Sequence, residues 1–370
     1  MLPTMDDFDF EKKRVILRVD INSPLEPSTL NILDNWRIKK IIPTLKELEE
    51  KNARQIILAH QGRPGKWDFT SLEKHAEELS RLMGREIKFI DDVYGQRAIN
   101  EIKNMREGDI ILLDNVRKCK EEMEKKSAEE HAKAEMIKKL SQFGDAFIND
   151  AFAASHRKQC SLLGFIPVLP SFAGRLMQKE VEMVEKLMKE AERPRVFIFG
   201  GGKYENAIDV IDKLLHDGTA DKILLGGMPG NVFFEKMKGS SEINGRIEEM
   251  IKKYRDKIIP PSDLIESKDV GEKTIEIFKN EIEKASSIFI SGPMGVFEDE
   301  KYAKGTKEIL EAIANSQAFS MAGGGHTVAA INMFGLENKF SYISTGGGAL
   351  ERMLMGEKLP VIDALIKFKR

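Results

Sequence analysis

The sequence predicts an α/β protein in which two doubly wound, Rossmann-like parallel-sheet domains are joined by a helix. Short β-branched apolar runs alternate with segments of helical period, a pattern typical of parallel strands covered by helices on both faces. Ten such runs occur along the 370 residues, more than one compact sheet usually carries. Prolines and glycines crowd at 164–174, and a helix-period stretch follows at 175–193. The chain is therefore divided near residue 170.

The N-terminal half, predicted as a domain over 1–170, carries five apolar runs that predict strands. They lie at 14–20, 54–60, 87–92, 109–117 and 145–150. Helical period predicts the helices between them, at 36–52, 71–84 and the charged stretch 119–142. A linker helix is predicted over 171–193.

The C-terminal half, predicted as a domain over 194–370, repeats this rhythm without an obvious sequence repeat. Its apolar runs lie at 195–203, 222–231, 287–295, 318–326 and 340–348. Most of these runs end in glycines, where the N-terminal runs end in polar or charged residues. The two halves are therefore expected to share an architecture but to carry different chemistry.

Composition and charge are typical of a globular chain without a nucleic-acid or membrane partner. Hydrophobic residues make up 41% and charged residues 32%, and the net charge is −2. No window approaches the ~18 uninterrupted apolar residues of a membrane span, and the N-terminus lacks the apolar region of a secretory signal. The two cysteines, Cys119 and Cys160, show neither metal nor disulfide spacing and predict reduced thiols in the cytoplasm.

Polar side chains follow the predicted N-terminal strands at their carboxyl ends, where open parallel sheets bind ligands. They are Asp20, Asn22, His60, Arg63, Asn115, Arg117, His156 and Arg157, with Arg37 opening the helix after the first strand. Arginine forks match phosphate and carboxylate oxygens in pairs, so four arginines and two histidines in one cleft favour a small, multiply anionic substrate. Any single arginine is more simply explained as an exposed surface residue, but several strands that all end in His, Arg or Asn favour a pocket.

Glycines crowd the carboxyl ends of the C-terminal strands. They are Gly200, Gly201, Gly202, Gly226, Gly227, Gly230, Gly292, Gly295, Gly323, Gly324, Gly325, Gly346, Gly347 and Gly348. Glycine lets a backbone approach a ligand, and a following helix offers its positive end, which predicts a nucleotide site built from backbone. Tight turns are the alternative reading of any one cluster. Neither a Walker loop nor a dinucleotide-binding fingerprint occurs.

Several long motifs resemble the phosphoglycerate kinase family, in the same order and over nearly the whole chain. They are RVDINSPL at 18–25, HQGRP at 60–64, LDNVR at 113–117, NDAFAASHR at 149–157, GPMGVFE at 292–298 and STGGGALE at 344–351. The resemblance implies a bilobal, hinge-bending kinase that moves a phosphoryl group reversibly from 1,3-bisphosphoglycerate to ADP. The implied reaction gives 3-phosphoglycerate and ATP and belongs to glycolysis and gluconeogenesis. Mg²⁺ with the nucleotide and a C-terminal tail packed on the N-terminal domain are also implied, while a monomer and a homodimer both stay open.

The resemblance also implies roles residue by residue. On the glycerate side it implies Asp20, Asn22, Arg37, His60, Arg63, Arg117 and Arg157, with His156 nearby. On the nucleotide side it implies Lys203, Gly201, Gly202, Gly226, Gly227, Pro293, Glu298, Gly323, Gly324, Gly325, His326 and Thr327, with Ser344, Thr345, Gly346, Gly347 and Gly348 as a further loop at a helix N-terminus. Arg37 and Lys203 are the implied catalytic residues. Alternatively, Lys203 is a solvated surface lysine, and Glu298 only marks the start of a helix.

The sequence departs from the family pattern in the nucleotide half. His326 stands where the family has an aspartate that reaches Mg²⁺, and Asn206 and Ala207 replace an acid and a phosphate-side lysine. Imidazole is a poor Mg²⁺ ligand, so His326 is expected either to donate to phosphate or to act only as a helix cap, and the metal ligand stays open. The archaeal branch of the family tolerates histidine here. These departures leave a second function open, a catalytically weakened relative that binds phosphoglycerate or nucleotide for regulation.

Overall fold

The computed structural model describes residues 1–202, 204–239 and 245–369. The chain divides into two compact units, one formed by Met1–Val181 with the residues from Lys358 onwards, the other by Glu182–Glu357. Each unit contains a six-stranded parallel sheet with helices between the strands, which confirms the predicted fold class. The predicted domain limits stay a prediction. Within the described ranges, no helix is long and apolar enough to cross a membrane.

The sheet of the first unit has its longest strand near its centre. Its strands are β1 (Arg14–Val19), β2 (Arg54–Leu58), β3 (Lys88–Ile90), β4 (Ile110–Leu113), β5 (Ala146–Asp150) and β6 (Ser171–Ala173), in the order β3-β4-β2-β1-β5-β6. Ile16 on β1 pairs with Ile56 on β2 and with Phe147 on β5, and all three are fully buried. Burial on both faces explains why apolar residues fill these strands almost continuously. β6 lies in the stretch where the sequence predicts only a boundary.

Each strand of this unit is followed in the chain by one or two helices. They are α1 (Trp36–Glu50), α2 (Glu73–Met83), α3 (Gln96–Asn104), α4 (Ala128–His131), α5 (Glu135–Ser141), α6 (Cys160–Leu163) and α7 (Arg175–Glu185), which crosses into the second unit. α1 buries Ile38, Ile41, Leu45 and Leu48, a stripe at helical spacing. The predicted helices at 36–52 and 71–84 correspond to α1 and α2.

The predicted charged helix over 119–142 is broken into a 3₁₀ turn, Lys120–Met123, and the short helices α4 and α5. Ser127 forms a reciprocal capping box with Glu130, which starts α4 inside the predicted helix. Glu122 is fully buried, whereas a solvated helix of charges would leave it in water. Tertiary contacts therefore override the helical period of this segment.

The second unit repeats the parallel arrangement. Its strands are β7 (Arg195–Phe199), β8 (Lys222–Leu225), β9 (Ile258–Ile259), the antiparallel pair β10 (Leu264–Ile265) and β11 (Asp269–Val270), then β12 (Ser287–Ser291), β13 (Phe319–Gly323) and β14 (Tyr342–Ile343). The parallel sheet has the order β14-β13-β12-β7-β8-β9. Its helices are α8 (Glu205–His216), α9 (Gly227–Met237), α10 (Gly245–Lys253), α11 (Glu272–Glu283), α12 (Lys304–Asn315), α13 (Gly325–Met333) and α14 (Gly348–Leu354). Phe289 on β12 packs against Phe197 and Phe199, with ring centroids 5.8 and 6.0 Å apart.

The last helix, α15 (Pro360–Lys367), belongs to the first unit. It packs against α6 and β6. The N–H of Val361 donates to the carbonyl oxygen of Ser155 at 3.2 Å, and Lys367 pairs with Glu129 at 2.6 Å. The chain therefore leaves the first unit after Val181 and returns to it at Lys358.

Asp150, the last residue of β5, is a fully buried carboxyl group close to the start of α7. Its oxygens accept hydrogen bonds from the Thr44 hydroxyl at 2.7 Å and from the Met177 N–H at 2.9 Å. Burial raises the pKa of Asp150 to about 6, and these hydrogen bonds oppose the shift only in part. The folded state therefore holds a proton on Asp150 more tightly than the unfolded chain does.

Replacing Asp150 with asparagine should remove a pH-dependent part of the free energy of unfolding. Because the folded pKa is raised, the carboxyl group contributes stability that is complete below about pH 4 and is lost as the pH rises through about 6. The parent should therefore lose up to about 3 kcal/mol relative to Asp150→Asn across this window. Urea denaturation of both proteins at several pH values measures the difference, and parallel curves would contradict the prediction.

Candidate functional site

Four neighbouring strands, β4, β2, β1 and β5, bring the predicted polar residues of the first unit to one edge of its sheet. Asp20 and Asn22 follow β1, His60 and Arg63 follow β2, Arg117 follows β4, His156 and Arg157 follow β5, and Arg37 lies in the first turn of α1. The strands run parallel, so their carboxyl ends meet at the same edge. This edge is the candidate site of the first unit.

Asp20 fixes the position of Arg37. The Arg37 Nη1 donates to Asp20 Oδ2 at 2.9 Å, and the N–H of Asn22 donates to Oδ1 at 3.1 Å. Burial alone would raise the pKa of Asp20, but the positive charges around it, that of Arg37 first, bring the pKa below its usual value. Asp20 is therefore ionised at neutral pH, and 35% of the Arg37 side chain stays exposed beside it.

Gly62 holds the loop after β2 in a fixed shape. Its N–H donates to Asn22 Oδ1 at 2.9 Å, and its carbonyl oxygen accepts from the guanidinium group of Arg117. Its φ is +63°, and a Cβ here would lie 2.3 Å from the carbonyl oxygen of Asp68, so only glycine fits. The loop therefore presents its next residue, Arg63, from a rigid backbone.

The arginines at this edge act on one another. Burial lowers the pKa of Arg117 to about 10, and the charges of Arg157 and Arg18 contribute to the shift. Burial also lowers the pKa of Arg157, and the charges of Arg63 and Arg37 lower it further. Such effects decay over about 10 Å in salt solution, so these side chains lie close together. An anion bound among them would relieve their repulsion.

We call this group the arginine cluster. Its five guanidinium groups and two carboxylates are Arg18, Arg37, Arg63, Arg117 and Arg157 with Asp20 and Glu122. Burial raises the pKa of Glu122, and the charge of Arg18 opposes the shift, so the cluster has an excess of at least three positive charges. Planar forks with this excess match a ligand that carries a carboxylate and a phosphate.

Sequence reasoning missed three residues of this site: Arg18, Ser161 and Glu122. Arg18 is fully buried, its Nε donates to Ser161 Oγ at 2.8 Å, and its Nη2 lies 2.9 Å from Nδ1 of His60. Ser161 in turn donates to Glu122 from its hydroxyl and its N–H. A charge inside the apolar run 14–20 is the signal that could have found Arg18, because a buried arginine needs partners. Glu122 carries no such signal, since it stands among other charges in the sequence.

In the second unit, glycines follow the neighbouring strands β8, β7, β12 and β13, and several of them let the loops pack against one another. The N–H of Gly201 donates to the carbonyl oxygen of Pro293 at 2.8 Å, and that of Gly227 to Met294 at 2.9 Å. A Cβ on Gly200 would lie 2.2 Å from the Pro293 oxygen, and one on Gly227 would lie 2.5 Å from the Gly201 nitrogen. These positions need glycine for the fold itself.

Other predicted glycines face open space. A Cβ on Gly202, Gly325 or Gly347 would meet no atom within 4 Å. Gly325 begins α13, and no side chain caps this helix end, where Gly324 has a φ of +88°. The first N–H groups of α13 therefore suit an anion.

Hydroxyl groups stabilise the same loops. Thr327 is buried, and its hydroxyl accepts from the N–H of Gly292 at 2.7 Å. The hydroxyl of Ser344 accepts from the N–H of Gly346 at 3.0 Å. Of the other predicted positions, Thr345 is buried, Gly348 begins α14, Gly226 follows β8 and Gly323 ends β13.

A cavity of about 270 Å³ opens beside these loops. It is lined by Gly201, Gly202, Gly227, Met228, Asn231, Ser267, Lys268, Pro293, Gly295, Val296, Glu298 and His326. Glu298 Oε1 lies 3.6 Å from His326 Nδ1, and both side chains are exposed. Backbone and apolar side chains, with polar groups such as Lys268, Glu298 and His326, thus surround a space that suits a phosphorylated ligand with a flat apolar part.

Two positions of this half fall outside the described part of the chain: Lys203, and the side chain of Asn206. Ala207 lines a second cavity, of about 90 Å³, together with Gly324 and Gly347. Among the residues that the structure describes, no group of three His, Cys, Asp or Glu side chains is arranged to hold a metal ion.

Comparisons with known proteins find relatives over the full chain. The family model described as "Phosphoglycerate kinase" matches residues 5–265 and 240–357. The phosphoglycerate kinase of Methanothermus fervidus is 42% identical over 98% of this chain and 96% of its own length, and that of Archaeoglobus fulgidus is 43% identical over 99% and 97%. The crystal structure of phosphoglycerate kinase from Pyrococcus horikoshii OT3 matches with a TM-score of 0.91 and 36% identity, covering 100% of both chains.

The two classes of glycine predict different effects of an added methyl group. Gly200→Ala should lower the free energy of unfolding by about 1–3 kcal/mol, because its Cβ would collide with backbone. Gly202→Ala, two residues away, should change it by less than about 0.5 kcal/mol, because its Cβ meets open space. Thermal and urea unfolding compare the pair. Equal destabilisation by both substitutions would show that the loop geometry is not the reason for either glycine.

Proposed function

Because the chain belongs to the phosphoglycerate kinase family, we propose that the arginine cluster holds 3-phosphoglycerate and that the glycine loops of the second unit hold the nucleotide. The chain is a phosphotransferase with a carboxyl group as acceptor. It moves a phosphoryl group reversibly from 1,3-bisphosphoglycerate to ADP, giving 3-phosphoglycerate and ATP, in glycolysis and gluconeogenesis. The relatives named above are archaeal enzymes.

The arginine cluster supports the assignment of the glycerate side. 3-Phosphoglycerate carries a carboxylate at one end and a phosphate at the other, so it can neutralise several guanidinium groups at once. Arg63, Arg117 and Arg157 would bind its oxygens as forks. Asn22, His60 and His156 would complete the pocket, and Asp20 would orient Arg37.

The second unit supports a nucleotide through its backbone. The N–H groups at the start of α13 and the open glycines would receive phosphates, with His326 and Thr327 in the same loop. Glu298 would accept from ribose hydroxyls. Met228 and Val296, which are 40% and 46% exposed at the cavity, offer apolar contact for a base.

Mg²⁺ is proposed to arrive as part of the Mg-nucleotide substrate. The ion prefers oxygen ligands and keeps several of its waters. The described residues offer it no cage of protein ligands, so phosphate oxygens and water would supply most of its coordination. This donor set fits a metal that travels with the nucleotide.

Arg37 and Lys203 are the proposed catalytic residues, Lys203 on the resemblance alone. Phosphoryl transfer needs in-line positioning and positive charge on the transferring group, with little covalent help from the protein. A carboxylate attacks without losing a proton, so the acceptor needs no general base. Arg37 supports this role because Asp20 holds it at one edge while part of its side chain stays exposed.

The cellular location and the oligomeric state are also proposals. A cytoplasmic location is supported by the two cysteines, Cys119 and Cys160, which are buried and free. The substrates are small molecules, and the chain would act as a monomer or a homodimer.

One observation carries the proposal: a partly buried, positively charged cluster at the carboxyl ends of four adjacent strands. A coupled assay with 3-phosphoglycerate, ATP and Mg²⁺ tests it, together with calorimetric binding of each substrate. Binding of 3-phosphoglycerate without turnover would instead favour the regulatory relative that the changed residues 206, 207 and 326 leave open.

Arg37→Ala should lower kcat by on the order of 10²–10³, because the guanidinium group stabilises charge that develops in the transition state. Arg37→Lys should be intermediate, since it keeps the charge but loses the fork. Steady-state kinetics at saturating substrates measure the effect.

The matched control is Arg97→Ala, which removes an exposed arginine from α3 of the same unit. It should leave both kcat and KM unchanged. If Arg37→Ala raises only the KM for 3-phosphoglycerate, Arg37 is a binding residue and its proposed catalytic role is wrong. Unfolding curves of both variants separate either result from a loss of folded protein.

His326→Asp should keep or increase Mg²⁺-dependent turnover, because a carboxylate offers the oxygen that Mg²⁺ prefers. The Mg²⁺ concentration at half-maximal rate should fall. His326→Asn serves as the control of similar size without a charge. A large loss of turnover in His326→Asp, with His326→Asn active, would mean that a donor to phosphate at this position is required.

A further inference from the structure

A chain of buried polar groups within the arginine cluster runs from Glu122 to His60. Glu122 accepts two hydrogen bonds from Ser161, from its N–H at 2.7 Å and from its hydroxyl at 2.8 Å. Ser161 Oγ accepts from Nε of Arg18 at 2.8 Å, and Nη2 of Arg18 lies 2.9 Å from His60 Nδ1. Glu122, Ser161 and Arg18 have no exposed surface, so none of them contacts a ligand directly.

The chemistry of Arg18 fixes the direction of the bond that reaches His60. Burial raises the pKa of Glu122, although the charge of Arg18 and the two hydrogen bonds from Ser161 oppose the shift. When the carboxyl group is ionised it only accepts, and the Ser161 hydroxyl then gives its single proton to Glu122. Its lone pair is then turned to Arg18, and a guanidinium group only donates. The Nδ1 of His60 must therefore be the acceptor of the Arg18 bond, which leaves it without a proton.

His60 is consequently held as the neutral tautomer with its proton on Nε2. Burial lowers the pKa of His60 well below its usual value, and the charges of Arg18, Arg117 and Arg157 oppose protonation, although Asp20 favours it. No described residue hydrogen-bonds to Nε2. The ring therefore presents one N–H donor of fixed direction.

We propose that Glu122 is a positioning residue that, through Ser161 and Arg18, locks His60 as an Nε2–H donor to an oxygen of the bound 3-phosphoglycerate. This inference rests on the proposed function of the arginine cluster. Glu122 comes from the 3₁₀ turn inside the charged segment 119–142, and Ser161 comes from α6. The 3₁₀ turn and α6 would therefore affect the ligand only indirectly, through the contact of Arg18 with His60.

Charge and geometry predict opposite effects of removing Glu122. If Glu122 matters only as a charge, Glu122→Gln makes the cluster more positive and tightens the binding of an anion. If it acts by positioning, the same substitution releases Arg18, frees the His60 ring and weakens binding. The sign of the change in affinity therefore separates the two roles.

Isothermal titration of 3-phosphoglycerate into the full-length protein, with steady-state kinetics, provides the first test. Glu122→Gln and Ser161→Ala should each raise the Kd and KM for 3-phosphoglycerate by about 10- to 100-fold, the loss expected for one hydrogen bond to a charged group. kcat should change by less than about 3-fold, because the contact exists in the ground state as well. Ser161→Ala changes no charge, so agreement between the variants points to positioning.

Glu124→Gln is the matched control. Glu124 lies two residues along the chain, is exposed and pairs with Lys126 at 2.6 Å. It contacts neither Ser161 nor Arg18, so its substitution should leave Kd, KM and kcat unchanged. Binding of Mg-ADP to each variant reports independently that the protein is folded.

Nitrogen NMR of the histidine rings gives a test that does not depend on activity. The chain has six histidines, and His60→Gln assigns the signal of interest. In the parent, His60 should show a protonated Nε2 and a bare Nδ1 from about pH 6 to about pH 8. In Glu122→Gln and Ser161→Ala the ring should exchange between tautomers or titrate.

The outcomes separate the inference from the proposed function. Tighter 3-phosphoglycerate binding in Glu122→Gln, or a protonated Nδ1 in the parent, overturns the positioning role and leaves the function standing. Failure of the parent to bind 3-phosphoglycerate overturns the proposed site. Weaker binding in both variants together with a released ring supports the inference.

Discussion

The buried guanidinium group of Arg18 is the constraint on which the first unit depends. A cation without exposed surface is tolerated only where hydrogen bonds and opposite charge replace its water. Ser161 and Glu122 supply these, so β1, the turn before α4 and the start of α6 are tied around a single charge. Because buried groups compensate the charge of Arg18, the exposed side of the same sheet edge can carry further arginines for a ligand.

The two proposed sites would recognise anions by different physical means. The first would use side-chain forks held by carboxylates, so each contact could be removed by one substitution. The second would use backbone N–H groups, which no substitution except proline removes. If the second unit holds the nucleotide as proposed, this difference explains why it can carry unusual residues such as Ala207 and His326. It also explains why glycine, rather than charge, marks that half in the sequence.

Rules that depend on strand ends allowed the sequence to predict much of this molecule. Runs of apolar residues locate β1, β2, β4 and β5, and topology then brings Arg37 and Arg157 to one edge. Glu122 was not predicted as a site residue because its burial depends on Ser161, 39 residues away, and not on its neighbours in the sequence. The sequence also cannot distinguish Gly200, where a Cβ would collide with backbone, from Gly202, where a Cβ would meet open space, because both residues are simply glycines. Only the positions of the surrounding loops show which glycine the packing requires.

The return of α15 to the first unit sets the order in which a ribosome can complete the fold. The second unit is continuous from Glu182 to Glu357, so all of it has been synthesised before the last helix emerges. The first unit is interrupted, and α6 and β6 lack one of their packing partners until α15 has been translated after the second unit. Until then, the surface that α15 covers is available to chaperones or to a neighbouring nascent chain.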